Sequence, residues 1–72
     1  MKQIYYLLKI KGLKGSADYV QIRNESLELV ANLRFEAPFE SFTRFFGEQA
    51  KVEILIALAQ RANYGILTKL EL

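Results

Sequence analysis

The side chains that could do chemistry are few, and the two most versatile are missing. The chain has no histidine and no cysteine. The commonest proton shuttle and the best nucleophile are therefore absent, as are the usual ligands of zinc and other soft metals. The single aspartate, Asp18, falls at the start of an expected strand, and the glutamates are dispersed through turns and solvent faces. No two carboxylates are forced together, so paired acid–base chemistry of the glycosidase kind has no support. Ser16, Ser26 and Ser41 have no identifiable base beside them. The inventory argues against an enzyme, and no metal or cofactor is expected.

Lys11-Gly12-Leu13-Lys14-Gly15-Ser16 has the composition of a phosphate loop. The spacing G-x-x-x-x-G-K-[ST] is not met and no helix follows. Glycines between lysines can form an anion nest, but a solvated turn between two strands is the plainer reading.

What remains is surface recognition. Strict alternation along the expected strands puts Tyr5, Leu7, Lys9, Lys11, Tyr19, Arg23, Val30, Arg34, Leu67 and Lys69 on one outward sheet face, with Gln21 and Asn32 among them. Two tyrosines among basic groups resemble in kind a sheet that stacks unpaired bases. Glu28, Glu36 and Glu71 share the face and dilute its charge, and no K/R-G-F/Y-G/A-F pattern is present. The same face is also too apolar to meet only water: aromatics and arginine with few acids are typical of interface cores. These ten residues are the candidate interaction face. The first functional reading is a small, self-associating protein-interaction module. The alternative is a single-stranded nucleic-acid-binding domain that uses the outer sheet face.

The elements that would position these residues follow from periodicity. Lys2 to Lys11 alternates, with Ile4, Tyr6, Leu8 and Ile10 expected inward. Gly12 to Ser16 is a loop. Ala17 to Arg23 is a second strand with Val20 and Ile22 inward. Asn24-Glu25-Ser26 is a tight turn of residues able to bond their own backbone. Leu27 to Glu36 alternates most cleanly, with Leu27, Leu29, Ala31, Leu33 and Phe35 on one face. Pro38 stops it, since proline cannot donate to a ladder.

Phe39, Phe42 and Phe46 fall at helical spacing with Phe45 nearby, a short helix that closes one end of the core. Gly47 separates it from Glu48 to Asn63, rich in strong helix formers. In that helix Val52, Leu55, Leu58, Ala59 and Ala62 form one stripe, flanked by Ile54 and Ile56. The apolar arc is wider than the roughly 100° that one contact needs. The surplus should meet the Phe-rich helix or a second copy. Ile66 to Leu72 is a fourth strand.

The expected fold is α+β, in the order β-β-β-α-α-β. It comprises a three-stranded antiparallel meander, a short Phe-rich helix, a long helix packed on the sheet and a fourth, C-terminal strand. A helical crossover would make that strand parallel to the third, in a mixed sheet. Leu29, Leu33, Leu55 and Leu58 are expected to be almost fully buried.

The 72 residues suit a single domain, residues 1–72. A chain this small buries only roughly 60% of its unfolded surface, so oligomerisation is one route to stability. A homodimer through the sheet face or the fourth strand's edge is expected. Half the residues are apolar, which argues against disorder. No apolar run approaches the ~18 residues of a membrane span, so no membrane partner is expected. The N-terminus reads as a strand and not as a signal peptide. The lack of cysteine points to a cytoplasmic location. A net charge of +2 is too small to imply nucleic acid by itself.

Overall fold

The computed structural model describes residues 3–72; the expected start of the first strand at Lys2 lies outside them. The order is β1 (Ile4–Ile10), β2 (Asp18–Arg23), β3 (Leu29–Phe35), α1 (Glu40–Phe46), α2 (Gln49–Arg61) and β4 (Thr68–Glu71). This is the α+β, β-β-β-α-α-β arrangement that the periodicity predicts. Both helices lie on one face of a four-stranded sheet with strand order β3-β2-β1-β4.

The two sheet turns are built from local polar bonds. In the β2–β3 turn, Asn24 Oδ1 accepts from the backbone N–H of Ser26 (2.9 Å) and of Glu28 (3.0 Å), the self-bonding expected of asparagine. In the longer β1–β2 loop the Ser16 N–H donates to the Leu13 carbonyl at 2.8 Å, and Gly15 supplies the left-handed position with φ 84°. Gly12 is required by space: a Cβ there would lie 2.2 Å from the Ala17 carbonyl oxygen.

That loop fixes the face of β1, and the result reverses the expectation. Leu7 pairs with Ile22 and Lys9 with Val20. Tyr5, Leu7 and Lys9 therefore point toward the helices, and Ile4, Tyr6, Leu8 and Ile10 point away. Alternation identifies two faces of a strand but not which is covered. A register shift of one exchanges them, and the turn sets the register.

The core is Leu7, Val20, Ile22, Leu33, Phe42, Val52, Leu55, Ala59 and Leu70. Phe42 is fully buried, with Phe39, Phe45 and Phe46 packed around it, so the Phe-rich helix does close the core. Phe39 is in the left-handed region at φ 60° and Glu40 is the first helical residue, two beyond Pro38. Gly47, at φ 72°, ends it. On α2 the stripe holds, with Val52, Leu55 and Ala59 buried and Leu58 and Ala62 partly so. Leu58 is thus not fully buried. Much of the surplus arc is taken up by α1, while Ile54 stays 51% exposed.

Two further expectations are corrected. A bulge between Ile22 and Arg23 pairs Arg23 with Leu29 and makes Val30 the extra residue. Leu29 is therefore 53% exposed instead of buried. The sheet is also wholly antiparallel and not mixed. β4 pairs antiparallel with β1, so it runs opposite to β3. The chain leaves β3 where Phe35 faces Asp18. It returns through two helical segments to the same end, where Tyr64 bridges Lys9. A single crossover helix would have delivered it to the other end.

Candidate functional site

With the helices on one side, the other side of the sheet is left open, and its composition can be read by row. Tyr6 lies between Arg23 on β2 and Lys69 on β4. Leu8 adjoins Gln21, which adjoins Asn32. Ile10 adjoins Tyr19, which adjoins Arg34, and Ile4 faces Glu71. A column of four apolar side chains, Ile4, Tyr6, Leu8 and Ile10, thus runs down a central strand. Cations stand on the flanking strands.

Of the ten candidate residues, the structure brings Tyr19, Arg23, Arg34 and Lys69 together on this face. Val30 is exposed at the bulge, and Leu67 is exposed in the connection just before β4. Tyr5, Leu7 and Lys9 are on the covered side. Leu7 is core, and the Tyr5 ring meets Phe46 edge-on at 6.2 Å. Lys11 lies beyond the end of β1. Ile4, Tyr6, Leu8 and Ile10 are the residues that sequence reasoning missed. The signal that could have found them was the odd register of the β1–β2 loop.

Among the described residues, two of the three cations on the open face already have partners. Arg23 donates from Nη1 to the Leu27 carbonyl and from Nη2 to Gln21 Oε1, each at 3.0 Å. Arg34 Nε lies 2.7 Å from Glu36 Oε2.

The withdrawn lysine forms a second constellation at the end of the sheet. The Lys9 ammonium lies 4.8 Å from the Tyr64 ring centroid and 5.1 Å from that of Phe35, a doubled cation–π arrangement. Lys9 is 7% exposed. Lys11 Nζ approaches the same tyrosine at 6.0 Å. Asp18 Oδ2 accepts from the Tyr64 hydroxyl at 2.5 Å and Oδ1 from the Gly12 N–H at 2.9 Å. The tyrosine hydroxyl first, then Gly12 and the two lysines, hold the Asp18 carboxyl below its ordinary value. The carboxylate in turn pushes the Tyr64 phenol up. The group anchors the α2–β4 connection to the first two strands.

Among the described residues no cluster of three histidine, cysteine or acidic side chains could hold a metal ion. No helix among them is long and apolar enough to cross a membrane. No known protein family, curated protein or solved structure matches this chain.

Proposed function

We propose that this chain is a small protein-interaction module whose partner is a second copy of itself, joined through the open face of the sheet. The observation that carries the reading is the reversed face of β1. It removes Lys9 and Lys11 from the candidate face and puts Ile4, Tyr6, Leu8 and Ile10 in their place. The exchange favours an apolar interface with a charged rim. It counts against nucleic acid, because phosphate binding needs cations that are free to replace counterions. A two-fold contact covers the same apolar column on both copies.

The strands are about 4.8 Å apart and rise ~3.3 Å per residue, so the face measures roughly 19 by 20 Å. Two copies would bury roughly 760 Å² together, below the ~1,200 Å² at which stable interfaces begin, and weak association, no tighter than micromolar, is the expectation.

The test is the double variant Tyr6→Lys/Leu8→Lys, followed by size-exclusion chromatography with light scattering. The wild type should elute as a dimer that high salt preserves or tightens, and the variant as a folded monomer. A parallel titration with labelled single-stranded oligonucleotides at low salt distinguishes the alternative. Binding that falls steeply with salt, together with a monomeric wild type, would replace the self-association reading.

A further inference from the structure

We propose that the β1–β2 tip, Lys11 to Ser16, is a contact site for the surface of an anionic lipid bilayer. Leu13 is 84% exposed, the largest exposure among the large apolar side chains described. It is not an apolar residue on a loose loop. The Gly12 N–H is tied to Asp18 and the Ser16 N–H to the Leu13 carbonyl. These bonds present Leu13 outward at the extremity of the sheet. Lys11 and Lys14 flank it. Tyr64 stands beside Lys11 and is itself exposed.

This is the composition of a peripheral contact. An apolar residue enters the boundary between headgroups and acyl chains, lysines stay at phosphate level, and an aromatic ring sits at the interface. A membrane-spanning helix is not needed for it.

Charge complementarity favours an anionic surface and fixes the orientation. The acidic groups described at this end have partners: Asp18 in Gly12 and Tyr64, Glu36 in Arg34, and Glu40 in Arg44 at 3.6 Å. Glu25 and Glu28 lie in the β2–β3 turn and Glu71 pairs with Ile4, all toward the opposite end of the sheet. The molecule is therefore polarised along its strands, basic at the Leu13 tip, and would approach a negative surface tip first. The proposal does not depend on self-association.

The test is co-sedimentation of the whole chain with vesicles of phosphatidylcholine alone, or with a third of phosphatidylserine. Wild type should bind the phosphatidylserine vesicles and not the neutral ones. Leu13→Asp should weaken binding about tenfold or more. Lys11→Glu/Lys14→Glu should do the same, and both variants should keep the wild-type circular dichroism spectrum. Ile54→Ser, which removes an equally apolar but remote side chain on α2, should bind as wild type does. Binding that survives both tip variants would overturn the proposal, as would equal loss in Ile54→Ser. A wild type that ignores both vesicle types would also overturn it and leave a protein pocket with an acidic rim as the better fit for the tip.

Discussion

The Tyr64 hydroxyl and the Asp18 carboxylate are 46 positions apart in the chain and share one hydrogen bond. Each shifts the other's titration. Asp18 is held below its ordinary 3.8, so its contribution to stability is in place above that value and drains as pH falls through the lowered one. Tyr64 is held above its ordinary 10.0, so its contribution is in place below that value and is lost as pH rises through the raised one. Tyr64→Phe removes the bond and keeps the ring over Lys9. The difference in Tm between wild type and variant should be widest from about pH 5 to pH 9 and should narrow toward both extremes. A difference that is constant across pH would show that the bond is linked to neither titration. Leu55 is a second residue with a definite expectation. It is fully buried between α2 and the sheet, and Leu55→Ala should cost about 2–5 kcal/mol. That is a large share of the stability available to a small domain. Chemical denaturation reads it, and a loss below about half a kilocalorie would contradict the packing.

β1 is the element on which the functional reading turns. Leu7→Lys places a charge in the core against Ile22 and Leu70 and should prevent folding. Leu8→Lys, one position on, points to the open face and should leave the helical circular dichroism signal intact. If the two variants behave alike, or in the opposite order, the register of β1 is wrong. This pair also marks how far the sequence was legible. Val20 and Ile22 on β2, and Leu33 and Phe35 on β3, could be assigned to a face because their neighbours in the alternation are polar or charged. In β1 both alternating sets contain apolar and aromatic residues, so composition could not choose between them. The choice was made by seven loop residues, through Gly12 and the Leu13–Ser16 turn. The same holds for Leu29, which a one-residue bulge removes from the core, and for β4. Its existence was plain in Ile66 to Leu72, but its direction depended on counting two helical traverses where the crossover rule assumes one. Local period is written in the side chains; register and strand direction are set by connections.

At the scale of the whole molecule, one side of the sheet carries both helices and the core, and the other carries an apolar column that no described element covers. The helix α1 absorbs most of the apolar arc of α2 that seemed to call for a partner, so α2 no longer argues for a dimer. Only the open face of the sheet still calls for one. The need is sharper there than alternation implied, because the column lies on a central strand with Arg23 and Lys69 on either side of Tyr6. Burying such a column twice about a two-fold axis would add apolar contact to a thin core. The candidate residues legible in the sequence were those of the flanking strands, Tyr19, Arg23, Arg34 and Lys69. The centre of the face was hidden by the register of β1.

Sedimentation equilibrium of the wild type at tens of micromolar tests this most directly, run beside Leu8→Lys under the same conditions. The wild type should have a mass near twice the 8.3 kDa of the chain, and the variant, its helices intact, the single-chain mass. A wild type that sediments as a single chain throughout the range would contradict self-association.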